Sequence, residues 1–501
     1  MTGLPLLPQV SKQEAALELL ARRKARTSMQ GFVCYTKPDY IVKPFNNELC
    51  RKLDAFAQGK IKKMIVTMPP QHGKSELTTR RFPAFLLGLN PKLRIAICSY
   101  SATVAEGFNR NIQQVIDDKA YQNVFPETYL NESNVVTVAK GSYLRNSEMF
   151  ETVGHRGFLK STGVCGPLTS TTVDIGIIDD PIKDRQEAKS PTYRQRVWDW
   201  FVDVFETRLH NDSQVLIIMT RWDQDDLVGR VLLRDRDWHL VKFEGIKTGP
   251  KTDYDQREPG EVLFPEKHSL ERLQAIQKNN PVTFDSLYQQ DPKPNKEALV
   301  YSHFKEITKM PMDYPFGYAL DFGFTNDPTA FVQLAMDRKR LYGREVFYLT
   351  GLTNSQIKMH ILQAGVRPID LIVADSAEPK SIRELQEITV VEATEQTKKQ
   401  FPRLSGYLFK DLSGKEYYRL PGLNVMGAAK GPDSVTGGIA LVKDLEVHLT
   451  TDSFNLWLEQ RNYEWVMNGN KPTNIPIDAY NHGMDAIRYF VFTKKKQFVV
   501  V

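Results

Sequence analysis

Four cysteines in 501 residues are too few and too scattered for a disulfide framework. Cys34, Cys50, Cys98 and Cys165 stand 16, 48 and 67 positions apart, which also excludes a zinc knuckle. Free thiols in a reducing compartment are the expectation. No apolar run approaches the ~18–20 residues that a membrane helix needs. The opening MTGLPLLPQVSKQEAALELL lacks a basic stretch followed by a long apolar core, so neither a secretory signal nor a membrane partner is expected. Charge of one sign is missing too. There are 66 Lys and Arg against 60 Asp and Glu, a net of +6, and residues 301–501 hold 24 against 23. A nucleic-acid partner is therefore attracted by a local patch and not by an overall field. With 41% hydrophobic and 25% charged residues, wholesale disorder is excluded. At ~100–200 residues per domain the length calls for two or three domains.

What is present is a succession of short β-branched runs separated by helical stretches. KKMIVT (62–67), LRIAICS (93–99), VDIGIID (173–179) and QVLIIMT (214–220) read as buried strands of an α/β domain with a mainly parallel sheet. Residues 12–26 read as a helix with a basic end. The texture turns polar and Pro-rich over 247–310, which reads as a linker or subdomain. A second α/β pattern follows, with GYALDFGF (317–324), AFVQLAM (330–336), DLIVAD (370–375) and a β-hairpin over 405–420.

MPPQHGKS (68–75) follows the first strand and approximates a phosphate loop, with Met68 where the first glycine belongs. In such a loop Pro70, Gln71, His72 and Gly73 lend their backbone to the phosphates, Lys74 brings a point charge, and the Ser75 hydroxyl ligates Mg²⁺. The bland alternative is a turn with a surface lysine. Asp179 and Asp180 at the end of VDIGIID argue against it. One carboxylate there suits a magnesium ion and the next can polarise the attacking water. Thr220, ending the fourth strand, is placed to sense the γ-phosphate, unless it is merely a capping threonine.

Three further aspartates have a different setting. Asp321 interrupts an apolar strand, where an unpaired carboxylate is costly. Asp375 ends another strand, and Asp485 lies three residues after His482, on one face of any helix there. Such a set can hold two Mg²⁺ or Mn²⁺ ions for phosphodiester hydrolysis if it converges.

Taken together, PPQHGKS, SYSATVAEGFNR (99–110), IIDDPIKDRQEAKSPTYRQRVWDWF (177–201), TRWDQDDLVGR, LYQQDPKP, ALDFGFTNDPTA, ADSAEPKSI, GPDSVTGGI and NHGMDAIRY resemble the large subunit of tailed-bacteriophage terminases, over about residues 30–490. The resemblance implies an ASCE-type P-loop NTPase followed by a ribonuclease H-like α/β nuclease. It divides the chain into a helical extension (1–30), an ATPase motor (31–246), a linker or subdomain (247–310) and a nuclease (311–501). It also implies ATP-driven translocation of double-stranded DNA into a procapsid and metal-dependent cutting of concatemers. The cofactors are ATP with Mg²⁺ in the motor and two Mg²⁺ or Mn²⁺ in the nuclease. By the same resemblance Lys74, Ser75 and Asp179 bind ATP and Mg²⁺, Asp180 is catalytic, and Thr220 belongs to the coupling motif. Asp321, Asp375 and Asp485 are the nuclease metal ligands, and His482 is an accessory ligand or base.

Two departures from the family pattern stand out. Many relatives have arginine where this loop has Gln71, so Arg110, on the stretch after SYS, becomes the candidate arginine acting on a neighbour's nucleotide. Asp180 is shorter than the usual glutamate, which leaves Glu187 as a substitute for water activation. The implied partners are DNA, the portal protein, the small terminase subunit and further copies of this chain. The copies would form a ring, a pentamer on the procapsid, and stand as monomers in isolation. The implied place is the cytoplasm of the infected bacterium and not the mature virion. A non-cutting translocase and a repair nuclease with a regulatory ATPase remain the alternatives.

Overall fold

The computed structural model describes residues 11–137, 141–168, 171–293, 297–311, 313–323, 327–431, 433–468 and 471–498. The first ten residues of the helical extension, and the Lys496 side chain of the basic run KKK (494–496), lie outside the described residues. The chain divides into two compact units, residues 1–293 and 294–501, and the division falls within the polar stretch 247–310. Among the described residues no helix is long and apolar enough to cross a membrane.

The first unit is built on a seven-stranded sheet. Its strands are β1 (Lys63–Thr67), β2 (Arg94–Ser99), β3 (Met149–Glu151), β4 (Phe158–Gly163), β5 (Val173–Asp179), β6 (Leu209–Met219) and β7 (His239–Lys242). They lie in the order β3-β4-β2-β5-β6-β1-β7, all parallel apart from the edge pair β3–β4. Alternation along each strand explains why both faces are covered. Val66, Ile95, Ile97, Ile177, Leu216 and Ile218 enter one apolar cluster with Phe32, Leu53, Phe56, Phe82 and Phe85. Their neighbours Ile65, Ala96, Cys98, Ile178 and Ile217 enter another, with Trp200, Phe201, Phe205 and Trp238. Trp200 is thus a core residue, and Trp198 packs against the same cluster beneath Arg234, 4.9 Å from its ring centre. The basic helix of the extension spans Lys12–Thr27, opened by a capping box of Ser11 and Glu14.

The second unit contains β8 (Lys305–Ile307), β9 (Phe316–Asp321), β10 (Pro328–Met336), β11 (Arg340–Thr350), β12 (Ile372–Ala374), a side sheet of β13 (Thr389–Glu392), β14 (Leu408–Lys410) and β15 (Glu416–Leu420), then β16 (Val425–Gly427), β17 (Glu446–Thr450), β18 (Trp465–Asn468) and β19 (Lys471–Pro476). Its main sheet runs β16-β12-β9-β10-β11-β17-β8. The strand β10 is antiparallel to both neighbours, and the remaining pairs are parallel. The side sheet contains the hairpin β14–β15 that the sequence announces around its Ser-Gly turn. The last long helix, His482–Phe498, carries the NHGMDAIRY segment.

One charged cluster in the first unit has no counterpart in the sequence reading. Asp225, in the loop after β6, receives Arg230 Nε at 2.7 Å, Arg230 Nη2 at 2.7 Å and Arg194 Nε at 3.0 Å. The Asp225 and Arg230 side chains are each 1% exposed. Removing one partner from such a group strands a buried charge, at a cost of about 3–5 kcal/mol. Asp225→Ala should therefore lower the unfolding free energy of the first unit by that amount, measured by thermal or urea unfolding. A loss under about 1 kcal/mol, the scale of an exposed pair, would contradict the burial of this cluster.

Candidate functional sites

In the parallel sheet β5, β6 and β1 are immediate neighbours, so their C-terminal ends open on one edge, where α/β sheets bind ligands. The loop 68–75 leaves β1 at that edge. It turns through Gln71 at φ 62° and Gly73 at φ 82°, so the glycine supplies a left-handed residue beside Lys74. Met68, in place of the first glycine, is fully buried. After Ser75 the chain makes a π-helical turn, Glu76–Arg81, before the α-helix Phe82–Leu89.

The Lys74 ammonium is the hub of this site. Its Nζ lies 2.7 Å from Asp180 Oδ2 and donates to Thr220 Oγ1 at 2.7 Å. Asp180 Oδ1 accepts the Thr220 N–H at 2.9 Å, and Asp180 itself adopts φ 45°. Thr220 Oγ1 also donates to the Met68 carbonyl at 3.3 Å. Asp179, 1% exposed, accepts the Thr79 hydroxyl on Oδ2 at 2.6 Å, and the Ser75 hydroxyl is close enough to help lower its pKa. Burial and then the neighbouring Asp180 carboxylate push the Asp179 pKa up, and Lys74 and the two hydroxyls only partly offset this. Its Oδ1 is buried with no hydrogen-bond partner among the described residues. A buried carboxylate oxygen left unmatched beside a serine hydroxyl is hard-oxygen chemistry that suits a magnesium ion.

The loop is also held from outside. The Gln71 carbonyl accepts Lys267 Nζ at 2.7 Å. The His72 ring stacks on His268 with centres 4.6 Å apart and meets Phe45 and Phe264 edge-on. His72 Nδ1–H donates to the Pro70 carbonyl at 2.9 Å. Burial pushes the His72 pKa down to about 4, so the ring is neutral at physiological pH.

Thr220, Asp179, Asp180, Lys74 and Ser75 are thus brought together as the sequence suggests. Arg110 is not among them. It lies on the helix Ala102–Asp117, about half exposed, 3.8 Å from Glu106. Glu187 accepts the Lys183 N–H at 3.0 Å and so is engaged at the short helix Arg185–Lys189. Thr79 and the His268 stack were missed, because one sits past the motif and the other nearly two hundred residues away.

The second unit gathers its own carboxylates. Asp321 ends β9, and Asp375 directly follows the parallel neighbour β12, its N–H donating to the Leu320 carbonyl at 3.1 Å. Asp485 lies in the first turn of His482–Phe498. The His482 ring stands with Nδ1 3.0 Å from Asp321 Oδ2. Burial first, and then the Asp485 and Asp375 carboxylates, raise the Asp321 pKa to about 6 against the pull of His482. Burial disfavours a charged His482, but Asp321 and Glu459 outweigh it and raise its pKa. Tyr489 faces the same three aspartates and is pushed up by burial and by all of them. Cations cover the outer two: Lys430 Nζ is 2.5 Å from Asp375 Oδ1 and Arg488 Nη2 is 2.8 Å from Asp485 Oδ2. Among the described residues no three acidic, histidine or cysteine side chains close around a common point as they stand. The donors nevertheless fit hard divalent cations, since carboxylate oxygens dominate and their crowding is what such an ion relieves.

Comparisons with known proteins place the chain in a family. The N-terminal family of terminase large subunits, T4-like-virus type, matches residues 65–280, and the terminase ribonuclease H-like domain matches residues 321–492. The two models follow one another in order and together span most of the chain, so it belongs to the terminase large-subunit family, with an ATPase domain followed by a ribonuclease H-like nuclease domain. Among solved structures, the large terminase of a thermophilic bacteriophage is 11% identical over 90% of this chain and 98% of its own, at a TM-score of 0.33. The large terminase of bacteriophage HK97 is 12% identical over 90% of this chain and 95% of its own, at 0.41. The nuclease domain of the bacteriophage SPP1 large terminase, with bound Mn, is 22% identical over 40% of this chain and 99% of its own, at 0.29. Superpositions this loose carry no weight, and the family rests on the two models. No curated protein matches the sequence.

The neutral His72 has a measurable consequence. Its folded pKa lies below the ordinary value near 6.5, so unfolded chains take up a proton that folded ones refuse. This part of the stability is complete above about pH 6.5 and is lost as pH falls towards 4. His72→Phe keeps the aromatic contacts and should flatten that acid slope in unfolding of the first unit between pH 6.5 and pH 4. An unchanged slope would place the His72 ring in water.

Proposed function

We propose that this chain is the motor and nuclease of a phage DNA-packaging machine, hydrolysing ATP to drive double-stranded DNA into a procapsid and cutting concatemeric DNA at the start and end of packaging. The observation that carries the motor reading is the Lys74 ammonium held between Asp180 and Thr220. A phosphate group entering the loop competes for that ammonium. Lys74 then leaves both partners, and the Asp180 carboxylate, still oriented by the Thr220 N–H, is free to take a proton from the attacking water. Thr220 loses a donor in the same event, so occupancy of the loop is felt at the end of β6 and along the segment that follows it. Ser75 and Asp179 would hold the Mg²⁺ of ATP, which neutralises charge on the phosphates. Arg110, exposed on its helix, is the candidate to reach a neighbour's nucleotide within a ring of copies.

In the nuclease, Asp321, Asp375 and Asp485 would hold two Mg²⁺ or Mn²⁺ ions, which activate water and stabilise the leaving oxygen in phosphodiester hydrolysis. His482, fixed against Asp321, is an accessory ligand or a base. Lys430, partly exposed beside Asp375, would turn to DNA phosphates once that carboxylate engages metal, whereas Arg488 is buried against Asp485 and Tyr489. Duplex DNA is held chiefly through its phosphates, so affinity falls steeply with salt. The proposed partners are DNA, the portal protein, the small terminase subunit and a ring of copies of this chain, pentameric on the procapsid. The proposed place of action is the cytoplasm of the infected bacterium. Residues 31–246 form the proposed motor and 311–501 the proposed nuclease.

Asp180→Asn should lower the kcat of ATP hydrolysis by about 10²–10⁴ and abolish packaging into purified procapsids, while Mn²⁺-dependent plasmid cutting persists. Near-normal turnover in that variant would transfer the base role elsewhere, Glu187 being the next residue to test. Asp375→Ala should do the reverse, stopping cleavage and sparing ATPase. Retained metal-dependent cutting would refute the ligand assignment.

A further inference from the structure

Beside the nuclease centre lies a buried carboxylate that none of the proposed chemistry uses. Glu459, on the helix Phe454–Asn462, is 1% exposed. Its Oε1 accepts the Tyr348 hydroxyl at 2.6 Å, and its Oε2 accepts the Met484 N–H at 2.9 Å. Met484 lies between His482 and Asp485, in the first turn of the helix that carries both. That turn has backbone N–H groups with no partner in their own helix, and Glu459 supplies one from outside.

The anchor is itself tied to the sheet. Register along β10–β11 slips at Phe331/Val332, so that Ala330 pairs with Tyr348 and Val332 with Glu345, with Val346 as the extra residue. Without this bulge Glu345 and Tyr348 would face opposite sides of the sheet. With it both reach the helix Phe454–Asn462. Glu345 caps the start of that helix through Asn455 N–H at 2.7 Å and Leu456 N–H at 3.1 Å. Tyr348 then fixes Glu459 one turn later. Gly483 lets the two helices meet this closely, because a Cβ there would lie 2.3 Å from Leu456 Cδ2 and 3.0 Å from Glu459 Oε2.

Resting on the nuclease reading above, we infer that Glu459 is a positioning residue, which with Tyr348 pins the helix start bearing His482 and Asp485 to the sheet bearing Asp321. It acts by accepting one hydrogen bond from each side, and it touches neither DNA nor the reacting atoms. Partners of this kind around metal ligands are worth about 10–100-fold in metal affinity or activity.

The test measures Mn²⁺-dependent plasmid nicking by the full chain, with the Mn²⁺ concentration for half-maximal rate, kcat, the KM for DNA and ATPase read in parallel. Glu459→Ala should raise the Mn²⁺ requirement or lower kcat by about 10–100-fold, with ATPase and the DNA KM unchanged. Glu459→Gln should recover most of the loss, since its amide oxygen accepts the Met484 N–H and its NH₂ donates to a rotated Tyr348 hydroxyl. A wild-type Mn²⁺ requirement and kcat in Glu459→Ala would overturn the inference, and so would a loss that glutamine does not relieve. If Glu459→Ala fails to fold, Tyr348→Phe decides: a smaller shift in the same direction supports the anchor, and no shift refutes it. Asp321→Asn serves as control. Cutting that survives it overturns the nuclease reading, whereas cutting that stops there but not in the Glu459 and Tyr348 variants overturns only the anchor.

Discussion

Adjacent carboxylates repel, and in a buried site the repulsion is settled by a proton or by a cation. Asp179 and Asp180 end one strand side by side, and the Lys74 ammonium beside them is the cation that offsets their charge. The local arrangement depends on that contact. It draws the phosphate loop towards the end of β5, and through the Thr220 hydroxyl it reaches the end of β6. The ammonium uses two of its three N–H groups on Asp180 and Thr220, so a phosphate oxygen entering the loop competes with them for its charge. On the proposed reading, a single positive charge would therefore tie occupancy of the loop to Asp180 and to the end of the next strand.

The same electrostatic problem recurs in the second unit with a different resolution. Asp321 is the inner member of the set, and its charge is opposed by burial and by two more aspartates. His482 stands against it, while Lys430 and Arg488 take the outer two. Under the proposed function, this arrangement is how a chain with a net charge of only +6 would handle DNA. Part of its basic complement is matched one-for-one with carboxylates at the sites, and on the proposed reading the exposed Lys430 would turn to phosphates only as Asp375 turns to metal.

Much of this was legible in the sequence, because buried parallel strands are written as unbroken apolar runs. VDIGIID is strand β5 from its first residue to its last, and Asp179, Asp180, Thr220, Asp321 and Asp375 lie at or just past strand ends. What stayed hidden depends on distant pairing. AFVQLAM falls in β10, but its antiparallel partner β11 mixes charged and apolar residues and gives no clean period, and the bulge at Val346 leaves no local trace. The Asp225–Arg230–Arg194 cluster looks like ordinary surface charge until the fold buries it. Glu459 reads as one of many helical glutamates, since nothing near it in the sequence names Tyr348 or Met484. His72 was visible as part of the loop, but its stack on His268 was not.

The most direct test of the central claim is a structure of the protein with ADP and a γ-phosphate mimic. The account predicts Lys74 Nζ against a phosphate oxygen, parted from both Asp180 and Thr220 Oγ1, with the Thr220 N–H still on Asp180. A nucleotide bound in the loop while Lys74 still bridges Asp180 and Thr220 would contradict it.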